Sequence, residues 1–241
     1  PRAIRDVYKR QILGGSGTIG TAIVERLLEE GNEVIIQYFQ SDLKALQDKY
    51  KGKAVEFIQV DLTQNIDLET TFAHIKHLDC LIYSSGTALY GLLQDMSDKD
   101  IDLSYNIHVK QLIRCCRYFI DLIRQSEFGR IIVISSIWGE TGASMETIYS
   151  AMKSAQIGFV KALSQELAMT NVTVNAITPG FVSGNMSQVF NSDELKAILA
   201  ELPQQRMINP CEIAHTCAYL WNPLAKSITG TVQKVNGAWY I

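Results

Sequence analysis

Several features that mark particular protein classes are missing from this sequence of 241 residues. No apolar run approaches the roughly 18 residues that a membrane-spanning helix needs. Lysine and arginine number 22 against 25 acidic residues, and the net charge of −3 excludes the broad basic face of a typical nucleic-acid-binding protein. The composition is that of a globular protein and excludes collagen, coiled coil and disorder. We therefore expect neither a membrane nor a nucleic acid as a partner.

Cysteine is present five times without any C-x-x-C spacing, at Cys80, Cys115, Cys116, Cys211 and Cys217. An odd number of cysteines in a chain without a secretory leader predicts reduced, mostly buried thiols in a cytoplasmic protein. Cys115 and Cys116 would point to different faces of one helix, so neither is expected to be catalytic. His74 and His77 have no carboxylate or cysteine neighbour in the sequence that would complete a metal site. No metal site is therefore predicted.

Residues 1–11 do not resemble the start of a native chain. The chain does not begin with Met, and the segment from Asp6 to Gln11 resembles the translation of a transposon end used in sequencing libraries. A central parallel strand is normally preceded by near-continuous apolar residues, whereas Tyr-Lys-Arg-Gln precedes Ile12 and Leu13 here. We interpret residues 1–11 as a non-native leader and expect a first strand that is half missing or improvised.

Short β-rich runs alternate with longer helical patterns along the rest of the chain. The predicted strands are 33–38, 54–60, 79–83, 130–135, 172–177 and 231–235. Apolar residues at helical spacing predict helices over 21–30, 107–125 and 148–169. Since no linker interrupts the series, the pattern predicts one domain over 12–241, an α/β doubly wound parallel sheet with helices on both faces, the Rossmann fold.

The segment between Pro179 and Pro210 departs from this rhythm. A loop of Gly, Ser and Asn is followed by residues 192–202, whose leucines and Ile198 form one apolar face. A small amphipathic helix in an insertion of this size is typical of a lid. We expect a substrate lid over about 183–208, with a plain surface helix as the alternative.

The loop before the first helical pattern is rich in glycine and reads Gly14-Gly15-Ser16-Gly17-Thr18-Ile19-Gly20. Glycines at this place allow a tight turn and a close approach of the backbone to a pyrophosphate, which the amino terminus of the next helix faces. The tip of the second strand, residues 37–41, has no acidic residue to hold an NAD ribose and no basic residue to hold the NADP phosphate. Since nothing there repels that phosphate, we expect NADP(H) to be favoured over NAD(H).

Tyr149 and Lys153 stand four residues apart at the start of a helical pattern and share one helix face. An ammonium close to a phenol lowers the phenol pKa from about 10 towards the range of an acid/base catalyst. Ser135 and Ser136 end the preceding predicted strand. A serine there makes a chance surface pair a poor explanation, and the pattern predicts an acid/base centre.

Together these residues resemble the short form of the short-chain dehydrogenase/reductase family, from Ile12 to Gly237. A serine thirteen residues before the tyrosine is typical of the family and selects Ser136 over Ser135. The resemblance implies that Tyr149 protonates a carbonyl oxygen which Ser136 polarises. It also implies that Lys153 holds the nicotinamide ribose and that Asn106 supports a proton relay through water. The cofactor-binding residues that it implies are Gly14, Ser16, Gly17, Thr18, Ile19, Gly20, Tyr38, Asp61, Leu62, Ser84, Gly86, Lys153, Pro179, Gly180 and Val182.

Three places depart from the family pattern. Thr18 stands at the usual second-glycine position, while Gly17 comes one residue early. The usual Asn-Asn-Ala-Gly run after strand four is Tyr-Ser-Ser-Gly at 83–86. Gly184 replaces a threonine, so we expect a side-chain contact to the nicotinamide amide to be absent. Backbone groups are expected to make the compensating contacts.

Within the family the chain resembles two groups of ketone reductases, so we expect NAD(P)H-dependent reduction of a small or protein-attached ketone. Segments 134–139 and 142–156 are similar to the bacterial reductase that acts on the 5-aminopentanone group on a lysine of elongation factor P. The general plan and segment 179–186 are similar to 3-oxoacyl-[acyl-carrier-protein] reductases. Trp138 and Glu146 lie at the substrate mouth in this fold, where a carboxylate could pair with an amino group; the alternative is a packed Trp138 and a solvated Glu146.

Two further expectations concern partners and catalysis. Helical patterns 107–125 and 148–169 carry apolar or small residues on more than one face. In the family these helices form a two-fold interface, so we expect a homodimer or homotetramer. A non-catalytic dinucleotide-binding sensor is the alternative of another class, and the complete set of Ser136, Tyr149 and Lys153 argues against it.

Overall fold

The computed structural model describes residues 7–184, 187 and 190–240. Seven strands form one parallel sheet in the order β3-β2-β1-β4-β5-β6-β7. The strands are β1 (Lys9–Leu13), β2 (Glu33–Tyr38), β3 (Val55–Gln59), β4 (Cys80–Tyr83), β5 (Arg130–Ile134), β6 (Thr173–Pro179) and β7 (Val232–Val235). The order reverses between β1 and β4, and ligands of such sheets bind beyond the carboxyl ends of the strands at this switch point. The predicted α/β doubly wound fold is confirmed.

Helices cover both faces of the sheet. They are α1 (Thr18–Glu29), α2 (Leu43–Lys49), α3 (Leu68–Phe72), α4 (Asp98–Tyr105), α5 (Gln111–Arg124), α6 (Trp138–Thr141), α7 (Thr147–Glu166), α8 (Ser192–Glu201) and α9 (Pro210–Trp221). Neighbouring residues of a strand enter opposite cores: Leu81 packs with Phe119 of α5, whereas Ile82 packs with Leu27 of α1. Burial on both faces explains the near-continuous apolar composition of the strands. Within the described part of the chain, no helix is long and apolar enough to span a membrane.

The predicted helix over 107–125 is wrong in its first turn. A five-residue π-helical turn, Asn106–Lys110, separates α4 from α5. Such a wide turn interrupts the regular ladder of backbone hydrogen bonds. Side chains bind two of its carbonyl groups: the Tyr83 hydroxyl donates to the Ile107 oxygen, and Gln156 Nε2 donates to the His108 oxygen at 2.8 Å. The turn is thus held from both β4 and α7.

Strand β1 contains three residues that the sequence assigns to the leader. Lys9 to Gln11 pair with β2 or β4 as continuously as the apolar residues after them. Arg10 is buried and its Nε donates to Asn32 Oδ1 at 3.1 Å. The fully buried Gln11 amide has no hydrogen-bond partner among the described residues. Pairing with β2 and β4 therefore holds a polar segment in a strand, and the interpretation of residues 1–11 as a non-native leader stays a prediction.

The segment predicted as a lid contains α8, which begins at a capping box formed by Asn191 and Glu194. Leu202 is buried, whereas no residue of α8 itself is fully buried. Four residues of the predicted lid, 185, 186, 188 and 189, lie outside the described residues. The lid stays a prediction.

The cysteine side chains and the His74 and His77 rings are held in structural environments. All five cysteines are free thiols; Cys211 is exposed and the other four are buried. His74 binds Glu56, and His77 Nε2 lies 3.0 Å from Asp79 Oδ2, so each ring has its own carboxylate. The described residues include no group of three or more His, Cys, Asp or Glu side chains that could hold a metal ion.

Candidate active site

The glycine loop connects β1 to α1 at the carboxyl edge of the sheet. Gly14 has a φ of +82°, and a Cβ atom there would lie 2.8 Å from the backbone nitrogen of Ser85. A Cβ atom on Gly20 would lie 2.0 Å from the Gly14 oxygen, so only glycine fits at either position. Helix α1 begins after Gly17 with neither a capping side-chain hydrogen bond nor an acidic residue in its first turn. Its first N–H groups are therefore suited to hold a phosphate.

Gln37 fixes this loop from β2. Its Oε1 accepts a hydrogen bond from the Gly14 nitrogen at 2.8 Å, and its Nε2 donates to the Val60 oxygen at 2.5 Å. Gln37, the first residue of the predicted tip over 37–41, is therefore not available to a cofactor phosphate, because its amide is already bound. Tyr38 is buried, and Phe39 is the first exposed side chain of the tip.

The predicted adenine-side residues follow β3. Asp61 Oδ1 accepts hydrogen bonds from the Thr63 nitrogen at 2.9 Å and from its hydroxyl at 2.7 Å. Leu62 is buried in the core beside them. The Asp61 turn therefore has a fixed shape at the same edge of the sheet as the glycine loop.

The Tyr-Ser-Ser-Gly segment that departs from the family pattern has a clear structural role. The Ser84 nitrogen donates to the Leu13 oxygen at 2.8 Å, and Ser85 packs against Gly14. A Cβ atom on Gly86 would lie 2.5 Å from Cε1 of His108. The segment thus joins the glycine loop to the π-helical turn.

Three predicted catalytic side chains converge beyond β5. The Ser136 side chain lies close enough to Tyr149 to act on the pKa of its hydroxyl, which it lowers against the effect of burial. Lys153 Nζ lies 5.5 Å from the centroid of the Tyr149 ring. The ammonium donates to the Ile134 oxygen at 3.0 Å and to Gln156 Oε1 at 3.3 Å. The structure therefore brings Ser136, Tyr149 and Lys153 together as the spacing predicted.

Burial controls the ionisation of this centre. It raises the pKa of Tyr149 well above its usual value of 10; the Ser136 side chain opposes this effect and the Glu146 charge adds to it. Burial also lowers the pKa of Lys153 to about 7. The expectation of a Tyr149 pKa lowered from about 10 is therefore wrong for this arrangement, because burial of the phenol raises that pKa. The Tyr149 phenol therefore keeps its proton at neutral pH, whereas the neighbouring Lys153 amine is close to half protonated.

His108 belongs to this centre and was missed in the sequence. Asn106 begins the π-helical turn, and His108 lies two residues further along it. Its ring meets the Tyr149 ring edge to face, with centroids 5.4 Å apart, and its Nε2 lies 3.0 Å from the Thr87 oxygen. Burial and the Lys153 charge lower the pKa of His108 to about 3, so the ring is neutral. A lone histidine in a helical pattern gives no signal of this contact.

Trp138 and Glu146 lie in the segment between Ser136 and Tyr149. Glu146 is half-buried, and burial raises the pKa of its carboxyl, whereas the Trp138 side chain acts on that pKa in the opposite direction. Glu146 occupies the N-cap position of α7 without capping it, after Met145 with a φ of +64°. Glu146 is half-buried rather than fully solvated, whereas the packed Trp138 of the alternative interpretation is present. Residues at the carboxyl end, missed in the sequence, hold Trp138: its ring lies 5.0 Å from that of Trp239.

The segment after β6 borders the same crevice. The Pro179 oxygen accepts a hydrogen bond from the Ile137 nitrogen at 3.1 Å, next to Ser136. Gly180 follows, and Val182 forms a parallel bridge with Ile208. The predicted cofactor residues of this segment therefore lie beside the catalytic centre.

Comparison with known proteins agrees with this geometry. The family model for enoyl-(acyl carrier protein) reductase matches residues 15–238. The chain is 35% identical to the uncharacterized oxidoreductase YmfI of Bacillus subtilis over 95% of this chain and 97% of that protein. It is 31% identical to the 3-oxoacyl-[acyl-carrier-protein] reductase FabG of Vibrio harveyi over 95% of this chain and 96% of that protein.

A solved structure of a variant actinorhodin polyketide ketoreductase with NADPH has a TM-score of 0.89 at 26% identity, covering 97% of both chains. A short-chain dehydrogenase/reductase from Serratia marcescens has a TM-score of 0.88 at 26% identity, covering 96% of this chain and 97% of that chain. The family match, the relatives and the shared fold lead to one conclusion. The chain belongs to the short-chain dehydrogenase/reductase family and is an NAD(P)-dependent oxidoreductase similar to 3-oxoacyl-[acyl-carrier-protein] reductases.

Proposed function

We propose that this protein reduces a ketone whose other end carries an ammonium group, specifically the 5-aminopentanone group on a lysine of elongation factor P. The observation that carries this proposal is the Glu146 carboxylate, which lies close enough to Tyr149 to raise its pKa. No cationic side chain among the described residues forms an ion pair with it. A substrate that places its carbonyl at Tyr149 could therefore place an ammonium at Glu146.

In the proposed reaction, Tyr149 donates its proton to the carbonyl oxygen. The Ser136 hydroxyl donates a hydrogen bond to the same oxygen and polarises it. When bound at this site, a nicotinamide dinucleotide would be the source of the hydride that the carbonyl carbon receives. Lys153 in its ammonium form stabilises the phenolate that remains, and Asn106 supports the water relay that returns a proton to it. The ketone becomes a secondary alcohol.

The residues present fit a dinucleotide. The glycine loop has no room for a Cβ at Gly14 or Gly20, and the first N–H groups of α1 lack a capping side chain. The exposed tip from Phe39 to Ser41 carries no carboxylate that would repel a phosphate. We therefore propose that NADP(H) is favoured over NAD(H), with Lys153 holding the nicotinamide ribose and Asp61 lying near the adenine.

Reduction of a 3-oxoacyl group on acyl carrier protein is the second candidate. It is favoured by relatives named for that activity, such as the FabG proteins of Vibrio harveyi at 31% identity and Escherichia coli at 30%. A phosphopantetheine-linked chain carries no ammonium and has no use for Glu146. A dinucleotide sensor without catalysis has no need of the proton donor Tyr149.

We further propose that the protein acts in the cytoplasm as a homodimer or homotetramer. Its buried, free thiols are compatible with a reducing compartment. The two-fold interface predicted for residues 107–125 and 148–169 corresponds to α5 and α7. Ile113 of α5 is an exposed large apolar side chain, and the neighbouring α4 exposes Ile101, Leu103 and Tyr105. A closed two-fold contact between these faces would bury them.

The test compares turnover of 5-aminopentanone-modified elongation factor P with that of acetoacetyl-acyl carrier protein, with NADPH, in the wild type and in Glu146→Gln. We expect faster turnover of the modified factor, and a loss of this preference in Glu146→Gln. The matched control is Glu140→Gln, because Glu140 is bound to Lys234 at 3.3 Å. Preference for the acyl carrier protein would support the second candidate. Intact nucleotide binding without turnover of either substrate, or of a panel of ketones, would support the sensor.

A further inference from the structure

Thr18 and Gly184 meet across the crevice, although they are far apart in the sequence. Gly184 has a φ of +149°, and a Cβ atom there would lie 2.3 Å from Thr18 Cγ2 and 2.6 Å from Thr18 Oγ1. Carbon atoms that are not bonded to each other do not approach so closely. The two positions therefore share the space of a single side chain, and Thr18 fills it.

The contact joins the two walls of the dinucleotide crevice. Thr18 is the first residue of α1, directly after the glycine loop. Gly184 lies on the segment after β6, which is fixed by the hydrogen bond from the Ser183 nitrogen to the Ile208 oxygen at 3.0 Å. A threonine side chain on a helix is restricted to few χ1 rotamers, so it has few ways to turn away from Gly184. Thr18 thus links the phosphate-binding wall to the wall beside Ser136.

Gly184 differs from the glycines of the loop in what excludes a side chain. At Gly20 the obstacle is the backbone oxygen of Gly14. A Cβ atom added at Gly17 would have one neighbour within 4 Å, the same Gly14 oxygen at 3.4 Å, which is an ordinary contact. At Gly184 all three nearest atoms belong to the Thr18 side chain, which a substitution can remove.

We infer that Thr18 and Gly184 form a reciprocal pair, in which Thr18 supplies from the helix side the hydroxyl group that faces the pyrophosphate of the cofactor. Gly184 is then a glycine because Thr18 occupies its side-chain space. The inference rests on the proposed binding of a dinucleotide by this crevice. It makes the two departures from the family pattern, at positions 18 and 184, parts of one arrangement.

The test is a double-mutant cycle of wild type, Gly184→Ala, Thr18→Gly and the double variant, read out as the Kd for NADPH by fluorescence titration. Gly184→Ala should weaken binding by about tenfold or more, and the double variant should bind better than the two single effects predict by a factor of about five or more. Thr18→Gly alone should lose about tenfold, because a hydrogen bond to a charged group is lost, whereas Thr18→Ser should stay within about threefold of the wild type.

Strain from the positive φ needs a control of its own. Gly52 has a φ of +75° and no atom within 4 Å of an added Cβ, so Gly52→Ala carries the backbone strain without a clash. We expect it to lower the melting temperature without changing the Kd. If Gly184→Ala fails to fold, the two Thr18 variants still decide the question. Additive effects in the cycle, or a Thr18→Gly variant that binds NADPH as tightly as the wild type, would overturn the inference. A wild type that binds neither NADPH nor NADH would overturn the proposed function instead.

Discussion

Replacing Tyr149 by phenylalanine removes one oxygen atom from the proposed centre and leaves its packing in place. The ring keeps its edge-to-face contact with His108 and its position on α7. The interaction by which Ser136 lowers the pKa of the Tyr149 hydroxyl is lost. Lys153 keeps both of its acceptors, since neither is on Tyr149. The variant therefore tests the role of the Tyr149 hydroxyl as proton donor without changing the packing of the site.

The expected loss of rate follows from that role. General acid catalysis contributes about 10² to 10⁴ in rate, which corresponds to about 3 to 5.5 kcal/mol of barrier at 1.36 kcal/mol for each factor of ten. Folding should change much less, because a net hydrogen bond is worth about 1 kcal/mol and removal of the buried hydroxyl offsets part of it. In a chain of this size about 1 kcal/mol shifts the melting temperature by about 2 to 4 °C.

The assay is single-turnover and steady-state oxidation of NADPH with a ketone substrate, together with fluorescence titration of NADPH. We expect Tyr149→Phe to bind NADPH with an affinity close to that of the wild type and to lose at least a hundredfold in kcat. Tyr219→Phe, which changes an exposed tyrosine, should behave as the wild type. A Tyr149→Phe variant that keeps more than about one tenth of the wild-type turnover would refute the role of proton donor.

Three further outcomes are expected. NADPH should exceed NADH by about ten- to a hundredfold in kcat/KM, and Phe39→Asp should shift that ratio towards NADH; an unchanged ratio would show that the tip does not face the phosphate. The pKa of Lys153 is about 7, and an amine carries its proton below its pKa. We therefore expect kcat/KM for reduction to fall as pH rises through that value, while Tyr149 stays protonated. A rise of kcat/KM over this pH range would contradict the role of the ammonium. Light scattering at micromolar concentration should show a dimer or tetramer, and a stable monomer contradicts the proposed interface.

The catalytic centre could be predicted because its parts are close in sequence. Ser136 lies two residues after the end of β5, and Tyr149 and Lys153 are one turn apart on the next long helix, so their meeting depends on local structure alone. The ionisation could not be predicted in the same way. The spacing of Tyr149 and Lys153 gives their distance, whereas the direction of each pKa shift depends on burial by the whole fold.

The parts that were missed depend on contacts between distant segments. His108 reaches Tyr149 only because a π-helical turn widens the helix there, and a periodic apolar pattern does not show such a turn. Gln37 belongs to the predicted tip of the second strand, but its amide binds the neighbouring glycine loop, a contact that the sequence does not show. Lys9 and Arg10 form a strand because β2 and β4 pair with them, which their own composition does not indicate.

The distribution of thiols gives this protein a single convenient place for a probe. Burial raises the pKa of Cys80 to about 11 and that of Cys115 to about 12, and it raises the pKa of Cys116 and Cys217 as well. Reaction with maleimides or iodoacetamides requires an accessible thiolate, which these four side chains do not offer in the folded state. Cys211, exposed in the first turn of α9, should therefore take up one equivalent of label, and the four slow thiols should become reactive only as the domain unfolds.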